Sequence, residues 1–182
     1  DPSQLVGAVR DDRDVDILAL RQDWGFELSG RHYVRWGLEA QRHQARYRYK
    51  ARADYHGFYL AWPGVPDSVD RVLSAAPEGE SASAYLSDRW QVAPGTTLEL
   101  GLRWDRQNWS QAGSDTQLSP RFSMLHAINE STDFRLTWGR YHQAQGIHEL
   151  QIEDGVTDFF PAQRADHLIS GFQFRLPRDH AL

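Results

Sequence analysis

The sequence predicts an all-β fold, an antiparallel up-and-down meander of about seven long strands, read as part of a transmembrane β-barrel. Three observations predict it. Apolar residues recur with a period of two, not 3.6. Several alternating segments run beyond ten residues, whereas ordinary globular strands average about five or six and membrane barrel strands need about 9–11. The connections alternate between tight turns and long loops, the layout of a barrel with short turns at one rim and long loops at the other. Period alone fits two environments. In a soluble sandwich the apolar face is the core and the charges meet outside water; in a membrane barrel the apolar face meets lipid and the charges line a wet lumen.

The first strand, 15–28, puts Leu18, Leu20, Trp24, Phe26 and Leu28 on one face and Arg21, Asp23, Gly25 and Glu27 on the other. A helix would scatter these apolar residues; a strand aligns them. Ser29-Gly30-Arg31 is a tight turn into the second strand, 32–50, where Val34, Trp36, Leu38 and Ala40 oppose Arg35, Gly37, Glu39 and Gln41. A long connection, Tyr55–Ser81, carries Pro63-Gly64, Pro66 and Pro77. The third strand, 82–93, sets Ala84, Leu86, Trp90 and Val92 against Ser87, Arg89 and Gln91. Ala93-Pro94-Gly95-Thr96 turns into the fourth, 97–109, where Leu98, Leu100, Leu102 and Trp104 oppose Glu99, Gly101, Arg103 and Asp105. After Ser110–Thr116 the fifth strand, 117–128, opposes Phe122 and Met124 to Arg121 and Ser123. Asn129-Glu130-Ser131 leads tightly into the sixth, 133–143, with Phe134, Leu136 and Trp138 against Arg135, Thr137 and Gly139. Ala144–Gln163 is a second long loop. The seventh strand, 164–176, sets Leu168, Phe172, Phe174 and Leu176 against Gly171, Gln173 and Arg175. Asp88, His126 and Ser170 interrupt the apolar faces, and Leu125 and Ile169 the polar ones.

Composition narrows the function classes. Among 182 residues, 20 Lys+Arg against 25 Asp+Glu give a net charge of −5, which argues against a strongly basic nucleic-acid binder. The absence of cysteine excludes disulfide frameworks, zinc-thiolate sites and cysteine nucleophiles. No apolar run approaches the 18 or so residues of a membrane-spanning helix, and no basic-then-apolar signal peptide opens the chain at Asp1. The mean hydropathy of −0.65 does not exclude a barrel, because alternating strands dilute the signal.

The residues resemble those of a known family. Tyr85-Leu86-Ser87-Asp88-Arg89-Trp90, Pro94, then Leu98-Glu99-Leu100-Gly101-Leu102-Arg103-Trp104-Asp105 is similar to a recurrent hairpin of TonB-dependent outer-membrane receptors, in which a "Y-x-x-D-x-W" strand turns into "L-x-x-G-x-R-x-D". Leu118-Ser119-Pro120-Arg121-Phe122-Ser123 resembles the family's "S-P-R-x-S" strand, and Phe134 through Gln143 its "R-x-x-x-G-x-y-x-Q" strand. Asp12-Arg13, Gln22-Asp23-Trp24 and Trp36-Gly37-Leu38-Glu39 fit earlier hairpins. The resemblance covers nearly the whole chain, best over 82–176. It implies a bacterial outer-membrane location and a segment of a receptor that takes up a scarce nutrient, such as a siderophore-like metal chelate. The family's plug domain, TonB box and closing terminal aromatic are not recognisable here, so residues 1–182 read as an interior part of the barrel domain, coupled to TonB only through a plug that this chain lacks.

On this reading Glu39, Glu99, Arg103, Asp105, Arg121 and Arg135 face the lumen, and Trp24, Trp36, Trp90, Trp104 and Trp138 sit at the membrane interface facing lipid. Tyr59, Trp62, Trp109, Tyr141 and His142, in or beside the long loops, are the candidate ligand contacts, by stacking and hydrogen bonding. Lumen arginines can attract anionic chelates or simply pair with Glu99 and Asp105. His142, His148, Glu149 and Asp154 carry metal-ligand chemistry, but their spacing matches no standard site, and solvated loop residues are the better reading; no metal or cofactor is expected. Catalysis is not expected either. Glu99 and Asp105 share a face but lie about 20 Å apart along the strand, too far for an acid–base pair. No nucleophile elbow, P-loop or dinucleotide fingerprint occurs. Two alternatives remain: a complete small barrel of about eight strands with Leu5–Arg10 as the eighth, serving structure or adhesion, and a soluble β-sandwich ligand-binding module.

Overall fold

The computed structural model describes residues 6–55, 63, 68–109 and 115–176. Eight strands form a single antiparallel sheet: β1 (Val6–Ser29), β2 (His32–Asp54), β3 (Ser68–Ala75), β4 (Glu78–Ala93), β5 (Thr96–Gln107), β6 (Asp115–Asn129), β7 (Thr132–Gln143) and β8 (Gln163–Phe174). The order is β1-β2-β4-β5-β6-β7-β8, with β3 also on β2. This is an open half-barrel meander. A sandwich is overturned, because every strand belongs to the one sheet. The eighth strand of the small-barrel alternative is overturned too: residues 6–10 continue β1 and pair with β2, and β1 and β8 lie at opposite ends of the order.

Within the long connection read at Tyr55–Ser81, residues 68–75 and 78–81 are strand. β3 pairs with the upper part of β2 (Tyr47 opposite Ala75) in the register that β4 continues lower down (Gln44 opposite Glu78). The two are one strand interrupted at Ala76-Pro77. Proline has no N–H to give the ladder, yet its carbonyl still accepts from the Ala45 N–H at 2.9 Å. Proline there marks a break in pairing, not a loop.

The three short turns share one construction. Each follows a register shift on the incoming strand, at Glu27/Ser29, Gln91/Ala93 and Ala127/Asn129. Each then hands a carbonyl to a neighbouring strand. Arg31 O accepts from Gln91 N at 2.8 Å, Gly95 O from Ala127 N at 2.7 Å, and Ser131 O from Arg175 N at 2.8 Å. Gly95, at φ +77°, supplies the left-handed position that a Pro-Gly turn requires.

The even-numbered residues of the lower sheet make one apolar face. Leu18, Leu38, Leu86, Leu100, Leu118 and Leu168 on it are each half exposed or more. The odd-numbered face is polar and cross-linked. Tyr85 of β4 lies across Gly37 of β2, and its hydroxyl donates to Asp23 of β1 at 2.7 Å. A Cβ on Gly37 would stand 2.5 Å from the Tyr85 ring and 2.6 Å from the Asp23 carboxylate. Glycine is therefore required there for close approach.

Gly37→Ala displaces Tyr85 and is expected to cost about 1–3 kcal/mol, the usual range for overpacking. Tyr85→Phe, which removes only the hydroxyl, costs about 0.5–1.5 kcal/mol. Urea unfolding of the protein checks the order; a Gly37→Ala protein as stable as wild type contradicts it.

Candidate functional site

Beyond the apolar band, β2 exchanges the roles of its faces. Val34, Trp36, Leu38 and Ala40 are even; Ala45, Tyr47 and Tyr49 are odd, and the pairing with β1 runs through without a break. The residues between β7 and β8 turn back to cover this second apolar stripe. Ile147, Leu150, Ile152 and Phe159 bury against Ala45 and Tyr47, with Tyr49, Leu73, Trp109 and Val156 packed around them. This is the buried apolar cluster of the described chain. Burying each such side chain contributes about 1.5–3 kcal/mol.

Polar contacts fix the loop in place. The Tyr47 hydroxyl donates to the Ile147 carbonyl at 2.6 Å and accepts from the Leu150 N–H at 3.3 Å. Burial pushes the Tyr47 phenol up, so it stays protonated and able to donate. A single 3₁₀ turn, Ile152–Asp154, ends at Gly155. There Arg71 donates to the Glu153 carbonyl at 2.9 Å, and Arg13 bridges Asp11 at 2.7 Å and Glu153 at 2.8 Å. The Trp109 indole N–H donates to the Gln145 carbonyl at 3.0 Å.

Beneath the loop lies a cavity of about 350 Å³ on the polar face, bordered by His43, Trp109, His142 and Gln145 among others. His43 is buried, meets Ser81 Oγ at 3.1 Å, and stands edge-on to Trp109 with centroids 4.7 Å apart. Burial, then the neighbouring His148, push its imidazole below the ordinary range, with Glu39 opposing. His142 meets Ser119 Oγ at 3.0 Å. A second cavity of about 560 Å³ lies on the same face, bordered by Arg35, Tyr85, Glu99, Arg121 and Tyr141.

The structure therefore brings Trp109 and His142 to one cavity and Tyr141 to the other. Tyr59 and Trp62 lie outside the described residues. Glu39, Glu99, Arg103, Asp105, Arg121 and Arg135 all have odd numbers in continuous register, hence one face. Most are occupied locally: Arg103 with Asp105 at 2.7 Å, Glu99 with Arg35 at 2.9 Å and Arg89 at 3.8 Å, Glu39 with Gln41, and Arg121 over the Tyr141 ring at 4.8 Å. Trp24, Trp36, Trp90, Trp104 and Trp138 share the opposite face but occupy four different pairing rows. Trp24 and Trp36 stack at 4.1 Å, and Trp90 stacks on His32 at 5.3 Å. His32 also meets Asp88, the acid that interrupts the apolar face, at 2.7 Å. Of the metal-type residues, Glu149 accepts from the Gly146 N–H at 2.7 Å and His142 turns to Ser119. The sequence reading missed His43, Tyr47, Gln107, Gln117 and Gln145. The available signal was the parity switch after Ala40 together with five apolar residues, Ile147 to Phe159, inside a supposed loop.

Tyr47→Phe keeps the ring but removes both hydroxyl contacts, and is expected to weaken loop docking by about 1–3 kcal/mol. Limited proteolysis, read as faster cleavage within 144–162, checks it. A histidine held neutral by burial takes up its proton first in the undocked form. Docking is therefore full above the ordinary value of 6.5 and is lost as pH falls from there toward the depressed value. Cleavage is expected to accelerate between about pH 8 and about pH 5.5, and His43→Gln to flatten that dependence.

Comparison with known proteins agrees with this geometry. The model of the family described as "TonB dependent receptor-like, beta-barrel" matches residues 3–167. A ferric enterobactin receptor of Pseudomonas aeruginosa is 25% identical over 91 residues, which is 47% of this chain and 11% of that protein. The match thus spans about a tenth of its curated relative. With a half-barrel meander and a family match over most of its length, the chain belongs to the TonB-dependent receptor β-barrel family.

Proposed function

We propose that residues 1–182 form part of the barrel wall of a bacterial outer-membrane receptor that binds a scarce nutrient outside the cell and admits it to the periplasm. The observation that carries this reading is a two-faced sheet with an exposed leucine- and tryptophan-rich face, a polar opposite face and a folded loop over one end of the latter. The exposed apolar area needs lipid, since soluble proteins rarely leave so large a patch uncovered. The five tryptophans place their rings on the lipid side as interface anchors. Short turns then lie at the periplasmic rim and long loops outside. The family is one of transporters, not enzymes, and no step here needs bond chemistry.

The nutrient is a metal chelate of the siderophore class, supported by the distant likeness to a ferric enterobactin receptor. Trp109, Tyr141 and His142, with Tyr59 and Trp62, are its contacts at the outer mouth. TonB acts through a plug domain outside these residues.

Deleting the gene in the source bacterium is expected to abolish energy-dependent uptake of at least one radiolabelled ferric chelate under iron limitation, and re-expression of the full-length receptor to restore it. Unchanged uptake across a panel of catecholate, hydroxamate and citrate chelates would overturn the chelate reading. Leu100→Arg, on the apolar face, is expected to cost about 2–4 kcal/mol on folding into lipid vesicles, the midplane figure for arginine. Ser87→Arg, on the polar face, costs little. Equal effects of the two would contradict the lipid assignment.

A further inference from the structure

The charges bordering the cavity beneath the 144–162 loop leave no net positive charge on its polar wall. On the polar face Glu39 and Asp105 meet Arg103, which is fixed on Asp105 by contacts at 2.7 and 3.0 Å; Arg106, of even parity, turns to the opposite face. Its two histidines each have a hydroxyl partner, Ser81 and Ser119. Two neutral amides of the wall stand apart. Gln107 and Gln117 are each 5% exposed, and the amide nitrogen of each has no hydrogen-bond partner among the described residues. Buried polar groups are nearly always paired, so two orphaned amides bordering one cavity point to a further partner. A half-turn about the terminal torsion lets an amide present either its N–H donors or its carbonyl oxygen to that partner. The neighbouring cavity differs in charge, with Arg35, Arg103 and Arg121 against the single carboxylate of Glu99.

We propose that the cavity under the loop is a subsite for a neutral, oxygen-rich group, whose hydroxyl or carbonyl oxygens pair with Gln107 and Gln117, and not for a polyanion. The inference rests on the receptor reading above. A polyanion gains no net attraction from this wall and must lie beside Glu39 and Asp105. A neutral polyol or hydroxamate oxygen loses less hydration on entry and can satisfy both amides. Trp109, held by its N–H on Gln145, supplies an apolar plate beside them. Uncharged hydroxamate chelates and sugars share this oxygen chemistry.

The test uses the full-length receptor in detergent, with binding read by calorimetry. Three probes are compared: an uncharged ferric trihydroxamate chelate, a trianionic ferric tricatecholate chelate and a neutral trisaccharide. One neutral probe is expected to bind about tenfold tighter than the tricatecholate, and Gln107→Leu with Gln117→Leu to weaken it about tenfold or more, the loss expected for two hydrogen bonds. An unchanged loop-cleavage pattern reports intact folding. Should the leucine variant misfold, the near-isosteric Gln117→Glu carries the test and is expected to weaken the neutral probe. Tightest binding of the tricatecholate, or amide variants that bind as wild type does, overturns the subsite while leaving the chelate receptor standing. Binding of the trisaccharide alone keeps the subsite and overturns the chelate reading; binding of no probe overturns both.

Discussion

The structure depends on one uninterrupted register between β1 and β2, which above the shift at the turn pairs residues from Glu27/Tyr33 up to Val6/Asp54. Side chains alternate with period two, so a slip of one residue would send Leu18, Leu20 and Trp24 to the polar face and Arg21 and Asp23 to the apolar one. The remaining strands inherit this parity. Trp36 is opposite Leu86, Leu86 opposite Leu102, and Leu102 opposite Pro120, so four strands place one row on one side. On the proposed outer-membrane reading, the same ladder also satisfies the backbone, because lipid offers no hydrogen bonds.

The register also permits the reversal above the band. Since it does not shift between Glu27/Tyr33 and Val6/Asp54, Ala45 and Tyr47 can be apolar on the face where Glu39 is polar, and a single strand serves two environments. Lower β2 turns its leucine to the exposed apolar face; upper β2 turns its tyrosines to a folded loop. That loop reaches back from the end of β7 across the sheet order to β2 and borders one side of a cavity on the polar face. The lower polar face is held differently, by cross-strand links such as Tyr85 to Asp23 over Gly37 and Arg35 to Glu99. These links occupy part of the charge on that face, Asp23 and Glu99 among it.

Much of this was legible in the chain. Alternation assigned the faces of β4, β5, β7 and β8, because it is a local consequence of strand geometry that any eight residues display. The Pro94-Gly95 turn was legible for the same reason: its dihedrals are set by its own two residues. Pro77 misled, because proline reports a missing N–H and not whether the chain on either side stays in register. β3 was hidden by this ambiguity and by Val72, which breaks the alternation of Val69, Leu73 and Ala75.

The sequence by itself determined the all-β class, the parity of the alternating strands except the upper part of β2, the position of the tight turns and the family of the barrel. Tertiary structure decided that 144–162 folds onto β2, that Tyr47 meets Ile147 across 100 positions of sequence, and that Gln107 and Gln117 border one cavity with His43 and His142. The division is physical. Alternation and turn dihedrals are set by near neighbours and repeat, so they leave a pattern in the chain. A docked loop is fixed by the shape and polarity of a distant surface, which no periodicity encodes.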